Sequence, residues 1–382
     1  VTKRSFKDNK VMDRQARLKK VLKNVKRMVV KVGSAVITKQ DEGLNYEVLE
    51  NLVYQLQKKV KEGYKVALVS SGAIACGRAK LKFYKKPLAL CEKQALASIG
   101  QAALIQAYEN LFNQYGIFVS QILLTAEDLS LRERYLNAKK TFETLLKWGI
   151  LPIVNENDTV TTEGIRFSDN DILSALVAGT IEADLLVILS DIDALYKEDP
   201  RENPQAEKIS EVFRVDETIF KMAGKKPGSL GRGGMYSKLL AAKMANSMGI
   251  PVVLLSGKEP FILEKFWEGQ EIGTIFWPEE RKLSMRKLWI KYYIKPEGRI
   301  YIDEGAEKAL LEKGKSLLLP GIQKIEGEFP KGACIECVNQ QGEIIAKGLI
   351  TFSSYDLQNL LSSDERPNKE VIHRDNLVIL SS

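Results

Sequence analysis

The sequence is almost without histidine: His373 is the only one in 382 residues. That absence excludes HExxH-type metal chemistry. It also leaves a Ser-His-Asp or Cys-His mechanism with no base but His373. Cysteine is scarce too. Cys76, Cys91, Cys334 and Cys337 are too few for a disulfide framework in a chain of this length, which fits a reducing, cytoplasmic location. Cys334 and Cys337 form a lone CxxC inside a strand-like run. A zinc site would need further ligands, so two ordinary strand residues is the reading. No apolar run reaches the about 18 residues that a membrane span requires, and no membrane partner is expected. The N-terminus shows no apolar signal core, which argues against secretion. Chemistry in this chain therefore rests on Lys, Asp, Asn and backbone amides.

Positive charge is present but unevenly placed. The net charge is +8. Residues 1–27 alone hold eleven Lys and Arg against two acids, Asp8 and Asp13, for +9. The remainder sums to about −1, so the body is not a basic nucleic-acid binder by charge. In this basic extension Leu18, Val21, Leu22 and Val25 recur at helical spacing. The pattern predicts an amphipathic helix packed on the body or on a neighbouring subunit. A membrane-surface or RNA-binding arm and a mitochondrial presequence are the alternatives it leaves open.

At 382 residues, 45% of them hydrophobic, the chain is long enough for two cores. From residue 28, short apolar runs alternate with amphipathic stretches. Strands are predicted at Met28–Val32, Lys65–Val69, Ile117–Leu124, Leu151–Asn155, Leu185–Ser190 and Val252–Leu255. Helices are predicted at Tyr46–Glu62, Glu92–Tyr115, Arg132–Lys147, Asn170–Ile181 and Met235–Met248. This rhythm predicts an α/β domain over residues 28–277, a three-layer αβα sandwich with a largely parallel sheet. Functional groups are expected beyond the carboxyl ends of its strands. The rhythm stops near Gly273–Arg286, and Pro278–Lys287 reads as a charged linker. Strand-like runs follow at Ile290–Tyr293, Arg299–Ile302, Ile335–Val338, Ile344–Leu349 and Leu377–Leu380, with one helix at Ala306–Lys313. Residues 288–382 thus read as a compact β barrel of roughly 90 residues.

Six polar clusters stand at strand ends or helix starts. Lys31-Val32-Gly33-Ser34 follows the first strand. A lysine before a Gly turn can meet a phosphoryl oxygen, although such pairs are common and no Walker P-loop is present. Ser70-Ser71-Gly72-Ala73 opens a helix whose free N–H groups favour an anion; alone it reads as a Ser N-cap with a turn glycine. Asn155-Glu156-Asn157-Asp158 closes a fully apolar strand. An exit turn needs no ligand, but so dense a cluster offers Asp158 to an α-ammonium group and asparagines to carboxylates. Ser168-Asp169-Asn170-Asp171 precedes a helix. An N-cap accounts for one of these residues, not three, and a surplus acid can orient lysines or hold nucleotide-bound Mg2+. Ser190-Asp191-Ile192-Asp193 suits the lining of a nucleotide pocket. Gly231-Arg232-Gly233-Gly234-Met235-Tyr236-Ser237-Lys238 is on its face a Gly-rich surface loop. Its place directly before a helix that carries a lysine favours phosphate. Two lysines, several carboxylates and two Gly-rich turns at strand ends together suit phosphoryl transfer, where catalysis is positioning plus charge neutralisation.

The segments VVKVGSAVIT, VSSGAIACG, QALASIGQAALI, LLTAEDL, RERYLNAKKTF, PIVNENDTV, SDNDILSALVA and GRGGMYSKLLAAKMA run in unbroken order. They resemble the glutamate 5-kinases of the amino acid kinase family. GAEKALLEKGKSLLLPGI, FPKGACIECVNQQGEIIAKGL and HRDNLVIL resemble a PUA domain, which bacterial members often carry. The resemblance implies transfer of the ATP γ-phosphoryl group to the γ-carboxylate of L-glutamate. The product is L-glutamyl 5-phosphate, in the first step of proline biosynthesis. Mg2+ would arrive with ATP, and no side chain is implied as a direct metal ligand. Lys31, Lys238 and Asp171 are implied as catalytic. Ser71, Asp158 and Asn170 would bind glutamate, with Asn155 and Asp169 nearby. Lys31, Ser190, Asp191, Arg232, Gly233, Gly234, Met235, Tyr236, Ser237 and Lys238 would hold ATP. Proline as feedback inhibitor and a homo-oligomer, dimer or tetramer, are implied as well. RNA stands as an open ligand of the PUA-like domain. The sequence departs from the family at Arg232, where Thr or Ser is usual, which adds charge near the expected phosphates. Ser190 and Ser237 replace frequent Thr and keep the hydroxyl. A related kinase acting on aspartate, acetylglutamate or carbamate is the nearest rival; the SDND segment and the appended β domain argue against it.

Overall fold

The computed structural model describes residues 13–39, 42–83, 88–125, 128–129, 131–160, 170–222, 234–278, 283–292, 294–363 and 367–380. The chain divides into two compact units, Val1–Lys282 and Leu283–Ser382.

The first unit is organised by apolar strands that must be covered on both faces. They are β1 (Arg27–Val32), β2 (Lys65–Ser70), β3 (Val119–Leu124), β4 (Leu151–Glu156), β5 (Leu185–Ser190), β6 (Glu211–Val212), β7 (Val252–Ser256) and β8 (Thr274–Phe276). They form one sheet in the order β6-β8-β7-β5-β1-β2-β4-β3. Every neighbouring pair is parallel except β7 with β8. Burial of Met28–Val32 and of all of β5 is what a parallel sheet between helix layers requires. The longer helices are α1 (Arg14–Leu22), α2 (Tyr46–Lys61), α3 (Ala73–Leu81), α4 (Leu90–Asn113), α5 (Arg132–Lys147), α6 (Asn170–Thr180) and α7 (Met235–Ser247). The largely parallel α/β sandwich expected from the sequence is therefore present. Met28, Val30 and Val32 join Leu49 and Leu52 of α2 and Tyr108 and Phe112 of α4 in one core. Strand alternation sends Val29 and Lys31 to the opposite face, and that places Lys31 on the side of α6.

The described part of the basic extension is a docked helix. Leu18 and Leu22 of α1, with Val25 after it, are buried in the core of the first unit. Arg17 grips both carboxylate oxygens of Glu211, at 2.9 and 2.7 Å from Nη2. Its guanidinium also lies over the rings of Phe213 and Trp277. Arg14 donates to the Ile272 carbonyl at 2.9 Å. Of the readings left open by the charge pattern, packing on the body is the one realised for residues 14–22.

In the second unit β9 (Gly298–Ile302), β10 (Ile322–Glu326), β11 (Cys334–Val338), β12 (Ile344–Leu349) and β13 (Leu377–Ile379) form a sheet in the order β10-β9-β11-β12-β13. One sequence expectation fails here. Ile290–Tyr293 is not a strand but mostly the last turn of α8 (Met285–Tyr292). The apolar run Leu288-Trp289-Ile290 invites a strand reading. The residues before it, Met285, Arg286 and Lys287, are strong helix formers, and Ile290 packs on Cys334 and Val378 as the buried stripe of a helix.

Cys334 and Cys337 are buried, free thiols on β11. Burial pushes Cys337 up to about 12 and Cys334 up to about 11, and it pushes Cys76 of α3 up to about 11. Cys91 is exposed. A thiol-reactive reagent at pH 8 should therefore titrate one equivalent rapidly in native protein, and four in denaturant. A second fast equivalent would show that one of the buried thiols is accessible.

Candidate active site

Chain order reverses at β1, since β2 lies on one side of it and β5 on the other. A crevice at the carboxyl ends is expected at such a switch point. Lys31, the penultimate residue of β1, forms an ion pair with Asp171 Oδ1 on the first turn of α6. Lys238 Nζ donates to Asp171 Oδ2 at 3.1 Å, and Ser237 Oγ donates to the same oxygen at 2.9 Å. Both come from the first turn of α7. Asp171 has no exposed surface, and the two lysine side chains are only 3% and 7% exposed. Charges buried this completely persist only when paired. Among the described residues one carboxylate serves both ammonium groups. Gly33 adds to this: a Cβ there would stand 3.7 Å from Lys31 Nζ, so glycine keeps side-chain atoms off the ammonium.

The neighbouring residue, Asn170, belongs to a second cluster. Its Nδ2 donates to Ser71 Oγ at 2.7 Å and to Asn155 Oδ1 at 2.8 Å. Asn155, in β4, donates in turn to Gln101 Oε1 at 2.8 Å. Ser71 lies where β2 turns into α3, and the turn depends on Gly72 at φ +115°. An L side chain is strained at that angle, and a Cβ there would also press on Ile37 at 3.2 Å.

Lys31, Asp171, Ser237 and Lys238 are thus brought together, as are Ser71, Asn155 and Asn170, and the sequential pair Asn170-Asp171 joins the two groups. Asp158 lies in the turn after β4, half-buried. Ser190 is buried at the end of β5, with Asp191 exposed beside it. Gly234 is the N-cap of α7 and Met235 and Tyr236 are its first two residues, at a helix end whose free N–H groups and dipole favour phosphate. Asp169, Arg232 and Gly233 lie outside the described residues. Among the described residues no group of three His, Cys, Asp or Glu side chains is placed to hold a metal ion, and Asp171 already serves two lysines and a serine.

Sequence reasoning missed Gln101. The signal was there: it falls on the buried face of α4 among Leu96, Ala97, Gly100 and Leu104, where a polar side chain needs a reason. It also missed the buried contact of Ser70 Oγ with Tyr108 OH, at 2.8 Å.

A two-lysine cluster that abuts a set of fixed amides, both at the carboxyl ends of a parallel sheet, suits a kinase that phosphorylates a small polar acid. The amino acid kinase family model matches residues 26–256, and a PUA domain model matches residues 298–372. The chain belongs to the amino acid kinase family, as an ATP-dependent kinase with a C-terminal PUA domain, and within it to the glutamate 5-kinases. Glutamate 5-kinase from Thermoanaerobacter sp. (strain X514) is 45% identical over 363 residues, covering 93% of this chain and 98% of the relative. The Geobacter metallireducens glutamate 5-kinase is 44% identical over 369 residues, covering 94% and 99%.

Proposed function

We propose that the protein transfers the γ-phosphoryl group of ATP to the γ-carboxylate of L-glutamate, giving ADP and L-glutamyl 5-phosphate, the first step of proline biosynthesis. The observation that carries this reading is the buried Lys31–Asp171–Lys238 cluster beside the Asn170 amide, in a chain 45% identical to a glutamate 5-kinase over nearly its whole length. A γ-carboxylate oxygen attacks the γ-phosphorus. The bond from that phosphorus to the bridging oxygen breaks, and ADP leaves with the electron pair. Lys31 and Lys238 neutralise the charge that builds on the transferring group, which is the main catalytic requirement of phosphoryl transfer. Asp171 holds both lysines in place. Ser71, Asp158 and Asn170 hold the glutamate, with Asn155 and Asp169 supporting them. Ser190, Asp191 and the segment Arg232–Lys238 hold the nucleotide. Mg2+ would arrive with the ATP phosphates.

Proline as feedback inhibitor, a dimeric or tetrameric state and a cytoplasmic location are part of the same reading. The described residues include no helix long and apolar enough to cross a membrane. RNA is the partner we assign to the PUA domain. The second unit has a cleft of about 630 Å³ whose lining includes Lys315, His373 and Arg374 together with Asp303 and Glu370, and this is where that partner would be sought.

A coupled ADP-release assay over L-glutamate, N-acetylglutamate, aspartate and carbamate tests the substrate. Turnover of glutamate at least tenfold above the others is expected, at about the level that one lost polar contact imposes. Inert glutamate with active N-acetylglutamate would overturn the reading.

A further inference from the structure

We infer that Gln101 is a positioning residue for the acyl substrate, acting through Asn155 to hold the Asn170 carbonyl oxygen toward the α-ammonium group of the acid. The inference rests on the glutamate reading above and adds a residue to it.

The backbone sets the direction of this amide chain. Glu156 N–H can only donate, and it donates to Asn155 Oδ1 at 2.9 Å. Asn155 Nδ2 is thereby turned toward Gln101 Oε1, 2.8 Å away. Asn155 Oδ1 also accepts from Asn170 Nδ2 at 2.8 Å. Asn170 therefore has its nitrogen facing inward, and its Oδ1 is left as the open acceptor. That oxygen is buried and has no hydrogen-bond partner among the described residues. A buried carbonyl carries its full desolvation penalty until a donor arrives. The only nitrogen donor of free glutamate is its ammonium group.

Gln101 makes poor sense as a stability device. It stands on the apolar face of α4, where leucine or methionine would fit without polar cost. Its Oε1 takes a single hydrogen bond, from Asn155, and its Nε2 finds no partner among the described residues. What the glutamine does provide is an acceptor for Asn155 Nδ2. Without it that buried N–H2 would be stranded, and Asn155 would rotate toward another acceptor. Asn170 Nδ2 would then keep only Ser71 Oγ at 2.7 Å and the more distant Ser70 carbonyl at 3.4 Å, so its amide would be held less firmly with the oxygen toward the ammonium.

The test is steady-state kinetics on the full chain with Gln101→Met, Gln101→Glu, Asn170→Ala and the double variant Gln101→Met/Asn170→Ala. Gln101→Met should raise KM for glutamate about tenfold or more and leave KM for ATP unchanged. Its thermal midpoint should fall by no more than a few degrees, the cost of Asn155 turning to another acceptor. Gln101→Glu keeps the acceptor oxygen and should restore most of the glutamate affinity. In the Asn170→Ala background, Gln101→Met should have no further effect, because both act on the same group. Additive effects would overturn the inference, and so would equal shifts in both KM values or a large fall in thermal midpoint. The unsubstituted protein in the same assay separates this from the substrate assignment. If it turns over a different acid, the glutamate reading falls, and the same coupling measured with that acid still decides the role of Gln101.

Discussion

Lys238→Ala is expected to lower kcat by about 10²–10³-fold, the loss typical of removing one preorganised donor from a transition-state charge, while the protein stays folded. Folding should survive because no charge is stranded. Lys31 still pairs with Asp171 Oδ1, and Ser237 Oγ still donates to Oδ2. The variant leaves a small cavity beside a satisfied carboxylate. Its catalytic cost is of another kind, because one ammonium group is removed where the phosphoryl group gathers negative charge. KM for glutamate should move little, since the contacts among Ser71, Asn155 and Asn170 do not involve Lys238. Turnover at saturating substrates, paired with thermal unfolding, checks both halves. A kcat within a fewfold of the unsubstituted value would remove Lys238 from the catalytic machinery.

Asp171→Asn should be more damaging, and in two ways at once. The substitution preserves shape and removes the carboxylate that joins the two buried ammonium groups. Breaking a buried ion pair from one side costs about 3–5 kcal/mol; here one substitution breaks two such pairs. The urea midpoint should fall clearly below that of Lys238→Ala. In kcat, the loss should exceed that of either single lysine variant, because both lysines lose their fixed geometry. Equal stability of Asp171→Asn and Lys238→Ala would mean that Asp171 is not the hub of the cluster. Asp171→Glu separates charge from placement: it should recover stability in part and activity hardly at all, since one added methylene displaces both ammonium groups from the transfer point.

Much of this was open to inspection in the sequence, for reasons that can be named. Buried parallel strands are contiguous apolar runs, so β1, β2, β4, β5 and β7 stand out. In such a sheet the first polar residues after each run fall at one edge. That rule led to Lys31, Ser71, Asn155 and Ser190 before any coordinates. What it could not supply is pairing across distance. That Lys31 meets Asp171 depends on which face of β1 looks toward α6, and this is decided by register and strand order. Gln101 was hidden for the opposite reason: it is one polar residue in an apolar helix, and its partner Asn155 is 54 positions away. Strands as short as β6 and β8, two and three residues long, hold too little pattern to be seen. In α8, three bulky apolar residues in a row imitate a strand, and only packing on Cys334 and Val378 reveals the helix.

The docking of α1 has a consequence for synthesis. Arg17 and Glu211 are 194 positions apart, and Arg14 and Ile272 are 258 apart. The helix leaves the ribosome before the surface that receives it, which is made on the order of ten seconds to a minute later at ordinary elongation rates. Through that interval Leu18 and Leu22 have no core to enter, while the helix carries a dense set of lysines and arginines. The strong positive charge of the segment keeps the waiting helix soluble and repels it from other nascent copies. When the edge strand arrives, Glu211 takes up one of those charges. Residues 14–22 are thus made well before the surface on which they come to rest.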